Sequence, residues 1–386
     1  MTTYSALHVL LCPDIIHRIT SFQRGLFADM RTFRTLTVPA IPNVAEFAHL
    51  ETHLQPWYAS QPLDRLALVV ATLPQMHDVV YAHALVSGRI HVLDGAPSVA
   101  RHAPHLLSAT QLWDMAAFGG HVASLQFLHK HIPKTMRPSA MMWASRQGHV
   151  DSVVFLDSID APASSAALDG AAATGQVEIV TFLAARGYPA TSRAMDEAAK
   201  GGYLDVVQLL HTTRDAGCSK FAMDYAAGHG HLDVVRWLHA HRREGCTTYA
   251  MDAACANGHL EVVQFLDAHR PEGCTKEAMN WAAWNGHLNI VKFLHDHCRE
   301  GCSVDALDWA ARHGYLDVVA FLDCHRTEGG TAKAMANAAR YGHLNVVKYL
   351  ATNRQHEASF DRALDEARAS GHDTIVAYLE TYTRSI

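Results

Sequence analysis

Between residues 109 and 386 the apolar positions recur with a period of 27 to 29 residues, counted from Gly120, Gly148, Gly175, Gly202, Gly230, Gly258, Gly286, Gly314, Gly342 and Gly371. Eight residues after each glycine stands a leucine, from Leu128 to Leu379, and one residue earlier an aromatic in nine of the ten segments, with Leu209 the exception. Five residues on is Val in nine segments, with Leu125 the exception, and two residues on is Val or Leu until Asp373 in the last. Offsets of two, four, five, seven and eight trace one broad side of a helix, so each glycine is followed by an amphipathic helix.

A second helix is predicted before each glycine. Seven residues back stands a large apolar group, such as Met195, Met223, Met251, Met279, Leu307 or Met335. Pairs of small residues lie four and three back, as in Ala198-Ala199, Ala282-Ala283 and Ala310-Ala311. That spacing places them on one face, where small side chains admit a close neighbour. Ser or Thr lies eleven back, as in Ser219, Thr247, Thr275, Ser303 and Thr331, the place of an N-cap. Between units run short turns such as 241–246, His-Arg-Arg-Glu-Gly-Cys. Helices of about ten residues are marginal alone, so the units must stack. The fold class is all-α, a helical repeat solenoid.

The pattern Ala-Ala-x-x-Gly-His-Leu-x-x-Val-x-x-Leu, read at Ala282-Ala283-Trp284-Asn285-Gly286-His287-Leu288-Asn289-Ile290-Val291-Lys292-Phe293-Leu294, resembles the ankyrin repeat. Ten such units cover about 109–386. The usual unit has 33 residues and opens with Thr-Pro-Leu-His. Here the period is near 28 and the matching stretch reads Ala250-Met251-Asp252. The missing residues fall in the connector, so the resemblance implies β-hairpin fingers reduced or absent. It also implies a protein–protein interaction scaffold that uses the concave face of the stack, where the two residues before each glycine lie.

Residues 1–50 form an F-box-like or helical N-terminal segment. Leu11-Cys12-Pro13-Asp14-Ile15-Ile16-His17-Arg18-Ile19 is similar to the first helix of an F-box, without the later Trp; Phe33 and Leu36 are the nearest apolar residues. The resemblance implies that Leu11, Pro13, Ile15, Ile16 and Ile19 contact a ubiquitin-ligase adapter. The chain would then be a substrate receptor whose repeats select the target. The other reading is a helical cap on the array. Residues 51–108 form a helical region, a degenerate repeat or cap, with helices over Leu63–Leu73 and Val79–Val86 and a boundary in the Pro- and His-rich stretch 95–105. Asp373 and Glu380 suit a polar outer face on the last unit.

Composition narrows the function. A formal net charge of -6 disfavours a partner held through phosphates, so no nucleic acid is expected. The longest apolar run, Leu66 to Leu73, is far below the ~20 residues that cross a bilayer, so no membrane is expected. No secretory signal is recognised at the start, and a cytoplasmic or nuclear, reducing location follows. A monomer is expected. No nucleotide loop or catalytic motif occurs, and neither an enzyme nor a cofactor is expected.

Cysteines and histidines fall in repeat register. Cys218, Cys246, Cys274 and Cys302 occupy equivalent connector positions. Units packed ~8–10 Å apart keep equivalent sulfurs from sharing a disulfide or a zinc ion, so these cysteines read as small apolar plugs. The run His295-Asp296-His297-Cys298-Arg299-Glu300-Gly301-Cys302 holds four candidate ligands, yet neighbouring units keep the scaffold without them, and no metal is expected. His241, His269, His297 and His325 close the second helix, where donors and positive charge suit the dipole. The Asp six before the glycine, as in Asp196, Asp224, Asp252 and Asp308, is read as bonding nearby backbone or a Ser/Thr cap; the alternative is an acidic stripe for a basic partner.

Candidate partner-binding residues are those that vary outside the apolar set: Lys200, His229, Tyr249, Asn257, Trp284, Asn285, Arg312, His313, Arg340 and Tyr341. Trp, Tyr and Arg are enriched at interface hot spots, which centres the site on Trp284, Arg312, Arg340 and Tyr341.

Overall fold

Hydroxyl side chains open the first helices of the repeats as their spacing requires. Thr191, Ser219, Thr247, Thr275, Ser303 and Thr331 each accept a hydrogen bond from the backbone amide two residues on, at 3.1 to 3.2 Å where the distance to Arg193, Phe221, Tyr249, Glu277, Asp305 or Lys333 is measured. The computed structural model describes residues 22–23, 26–39, 41–60, 66, 69, 72–73, 75–95, 108–132, 136–213, 217–354 and 359–383. Leu11, Pro13, Ile15, Ile16 and Ile19 lie outside the described residues, as do most of Leu63–Leu73 and residues 96–107.

Among the described residues the fold is all-helical apart from an antiparallel pair of two-residue strands, Phe22–Gln23 with Leu26–Phe27. It divides into two compact units, Met1–Pro189 and Ala190–Ile386. In the first, a 3-10 helix Ala28–Thr35 and the helix Val44–Ser60 bury Met30, Phe33, Leu36, Leu50, Leu54 and Trp57. Phe33 meets Trp57 edge-on at 5.6 Å. Glu51 accepts from the buried His83 at 2.5 Å and from Arg89 at 2.9 Å, joining this helix to Met76–Val86 and its following turn. Three helix pairs follow: Ala109–Gly119 with Val122–His131, Pro138–Gln147 with Val150–Ser158, and Ser165–Ala173 with Val177–Ala185.

The second unit stacks seven helix pairs among the described residues, from Ser192–Lys200 with Leu204–Thr213 to Phe360–Ala369 with Asp373–Thr383. The leucine eight after each glycine is at most 2 % exposed throughout both units. The residues four and five on are buried with it, apart from the half-buried Val376 of the last unit, whereas those two and seven on are half-buried or exposed, so the buried stripe is narrower than the apolar pattern. In the first unit Ser124 and Ser152 take the buried fourth position. Their hydroxyls donate to Leu85 and Gly120 carbonyls at 2.8 and 2.9 Å, which offsets the burial of a polar group. No strand occurs in the described connectors of the second unit, so the fingers are absent there.

Two further contacts recur between neighbouring repeats. The histidine after the repeat glycine donates from Nε2 to a carbonyl at the end of the preceding first helix: His231 to Lys200, His287 to Ala256, His343 to Arg312 and His372 to Arg340, at 3.0 to 3.2 Å. The buried aspartate joins the next unit's cap. Asp196 accepts from the Ser219 amide and hydroxyl, Asp224 from Thr247, Asp252 from Thr275 and Asp308 from Thr331, all at 2.6 to 2.8 Å. Asn280 takes the aspartate's place before Ser303, at 3.0 Å from its amide. The Asp stripe is therefore internal and is not an acidic surface for a basic partner. Asp365, in the last unit, is exposed.

Candidate partner-binding surface

On each first helix, positions nine, five and two before the glycine lie on one side, away from the buried alanines. In the second unit this side carries a run of aromatic and cationic groups. Phe221 and Tyr249 stand 54 % and 49 % exposed near the starts of Lys220–Gly228 and Thr248–Ala256. Phe221 stacks on Tyr225 at 5.5 Å, and the Lys200 ammonium sits 5.7 Å from the same Tyr225 ring.

The densest part lies over three successive units. The Trp284 indole, at the end of Lys276–Trp284, meets Trp309 edge-on at 5.0 Å and His313 at 4.7 Å. The Arg312 guanidinium lies 5.6 Å from the Trp284 ring and 5.0 Å from the Tyr341 ring, and Nη2 donates to the Tyr341 hydroxyl at 3.0 Å. Arg340 lies 5.9 Å from the Tyr341 ring and 3.9 Å from Glu366. Tyr341 remains 44 % exposed. Each contact between an arginine and an aromatic face at such a site contributes about 0.5–1 kcal/mol, and together they hold long side chains in place before any partner arrives.

Five of the ten candidates therefore come together: Trp284, Arg312, His313, Arg340 and Tyr341. Lys200 joins the separate Phe221–Tyr225 pair. His229 is exposed and its Nδ1 donates to Tyr225 O at 2.9 Å. Asn257 and Asn285 spend their amides on Gly228 O and Ala256 O, at 2.7 and 2.8 Å, so they serve the stack. Sequence reasoning missed Tyr225, Trp281 and Trp309, five before the glycine. Their signal was present, since this column reads Glu197, Ala253 and Asn337 in other units.

The second helices carry histidines of a different kind. His241, His269, His297 and His325 donate from Nδ1 to the carbonyl four residues back, at 2.8 to 2.9 Å, and stack on the aromatic there. Within the ligand-rich run 295–302 the two histidines turn to other partners, while Cys298 and Glu300 stay near each other beside Cys274. His297 caps its own helix, while His295 packs on Phe321 and lies 3.5 Å from Arg326.

Burial raises the Asp196, Asp224, Asp252 and Asp308 carboxyls above the ordinary range despite the hydroxyl and amide donors. In the connectors Arg242–Glu244, Arg270–Glu272 and Arg326–Glu328 pair at 2.5 Å. For Glu328 the Arg326 donor outweighs burial and holds the carboxyl down to about 2. For Glu244 burial works upward, but Arg242 and backbone amides hold it down to about 2 as well.

The repeat geometry agrees with what family comparison finds. A model of ankyrin repeats in three copies matches residues 251–329, and a model of ankyrin repeats in many copies matches 223–266. Residues 223–329 carry ankyrin repeats. The matched ankyrin segment includes Trp284, Arg312 and His313, and the same glycine and leucine register continues on both sides of it. Among solved structures, the chain is similar to the crystal structure of human ASB11 ankyrin repeat domain, with 20% identity, a TM-score of 0.39, and coverage of 48% of this chain and 97% of that one. No curated protein matches the chain significantly. Ankyrin repeats generally mediate protein–protein interaction and are typically non-enzymatic scaffolds. Among the described residues no helix is long and apolar enough to cross a membrane.

Proposed function

We propose that this chain is an intracellular scaffold, cytoplasmic or nuclear, that binds a partner protein through the ridge Trp284–Arg312–Tyr341–Arg340, on the side the ankyrin resemblance assigns to the concave face. The observation that carries this reading is Arg312, held between two aromatic rings with its guanidinium only half-buried. An arginine so placed retains donors for a partner's carboxylate or carbonyl, while Tyr341 offers exposed ring surface beside it. The side chains are already ordered, so binding loses little of their entropy.

The test is titration of a partner, captured with the full chain, against the Trp284→Ala, Arg312→Ala double variant. Affinity is expected to fall by at least about tenfold. Unchanged affinity in a folded variant sinks the assignment.

A further inference from the structure

Twelve residues after the repeat glycine stands an arginine in four of five successive units, Arg242, Arg270, Arg326 and Arg354, with Cys298 as the interruption. Arg242, Arg270 and Arg326 pair with the glutamate two residues on, and Arg270, Arg326 and Arg354 fill the space below the glycine of the preceding connector. A Cβ on Gly245 would stand 2.5 Å from Arg270 Nη2, and one on Gly301 would stand 2.5 Å from Arg326 Nη2. Arg354 also pairs with Asp323 of the preceding second helix.

Cys298 removes both. Nothing lies within 4 Å of a Cβ built on Gly273, so the space is open. Among the described residues Glu300, the counterpart of Glu272 and Glu328, has no ion pair, and neither has Asp267, the counterpart of Asp323. One cation has been lost and two carboxylates are left uncompensated beside a new thiol. The sulfur of Cys274, from the preceding connector, joins them. Cys274 Sγ, Cys298 Sγ and a Glu300 carboxylate oxygen all lie within 4.8 Å of one another, with Cys274 Sγ 4.0 Å from Glu300 Oε2. These cysteines are not in equivalent repeat positions, so the spacing that separates Cys246 from Cys274 does not separate them.

We propose that Cys274, Cys298 and Glu300 bind a soft divalent transition-metal ion, and that zinc is the ion this ligand set fits. Four-coordinate zinc, with sulfurs at about 2.3 Å, sets two thiolates roughly 3.8 Å apart and accepts a carboxylate and water alongside them. No atom stands within 4 Å of a Cβ on Gly273, where the neighbouring connectors hold a guanidinium, and a bound ion would restore the charge that Arg→Cys removed. Ligand exchange is the only chemistry: Cys274 and Cys298 each release a thiol proton to solvent on binding, and nothing is oxidised.

The test uses the full chain, fully reduced, with zinc or cobalt(II) ion alone. One equivalent should bind, and cobalt should show the charge-transfer absorption of thiolate ligation. Cys298→Arg restores the residue of the flanking connectors and should fold; it should lose affinity by more than the roughly 10–100-fold typical of changes outside the ligand set. Cys298→Ser should lose it likewise, whereas Cys302→Ser, beside Arg326, should bind as the parent does. No uptake, uptake that survives Cys298→Arg and Cys298→Ser, or a cobalt spectrum without thiolate absorption overturns the site. So does a protein that forms a Cys274–Cys298 disulfide under air but takes up no metal when reduced.

Discussion

The imidazole of His343 donates to the carbonyl of Arg312 at 3.0 Å, and its ring also covers Gly314 of that preceding unit. One side chain thus closes a helix end and roofs the turn that follows it. Gly314 has φ +79, and a Cβ there would stand 2.5 Å from His343 Nδ1. Gly314→Ala therefore combines a left-handed backbone penalty of about 1–2 kcal/mol with displacement of the ring. Urea unfolding should show a loss at least that large. A change below ~0.5 kcal/mol would remove the ring-on-glycine account.

The aspartate tie separates charge from hydrogen bonding. Asn280 already replaces aspartate in one unit and still accepts from the Ser303 amide. Asp252→Asn should accordingly shift stability by less than ~1 kcal/mol, since an acceptor for the Thr275 amide remains. Asp252→Ala leaves that buried amide unpaired and should cost about 1–3 kcal/mol. Equal losses for the two variants would show that the charge, and not the acceptor, matters.

Leu266 is 1 % exposed and is the eighth-position leucine of its unit. Leu266→Ala should cost about 2–5 kcal/mol in denaturant melting, the range for a buried leucine that leaves a cavity. A near-zero change would contradict its place in the core.

Stability should respond to acid through two opposed sets of carboxyls. Glu328 is held from its ordinary 4.5 down to about 2, so its contribution is complete above 4.5 and is lost as pH falls through about 2. The raised Asp196, Asp224, Asp252 and Asp308 act oppositely: what they contribute is complete below the ordinary 3.8 and is lost as pH rises through their folded values. Comparing Glu328→Gln with the parent by urea unfolding should show a gap at pH 7 that narrows toward pH 2. A gap that widens in acid would reverse the sign assigned to the pair.

What could be read beforehand follows from which contacts keep the repeat's phase. Leu266, Met251 and the Thr275 cap recur at fixed offsets, so periodicity alone finds them. The His343–Arg312 contact spans 31 residues and pairs two different offsets, which a single chain does not reveal. The same holds for Cys274 with Cys298: comparing equivalent cysteines argued against shared ligands, but the pair that meets is out of phase. Of the candidate surface, Trp284, Arg312 and Tyr341 were legible because they interrupt a conserved-looking scaffold with hot-spot residue types. Asn257 and Asn285 look alike in sequence, and only their carbonyl partners assign them to the stack.

The central claim is that a partner binds at the Trp284–Tyr341 ridge, and Tyr341 with Arg340 tests it most directly because both are exposed and outside the core. The measurement is partner affinity of the full chain carrying Tyr341→Ala and Arg340→Ala, with its unfolding curve recorded alongside. A stability loss of about 1–2 kcal/mol, from the two arginine–ring contacts removed with Tyr341, and affinity reduced at least about tenfold are predicted. A folded variant that binds as tightly as the parent would contradict the account.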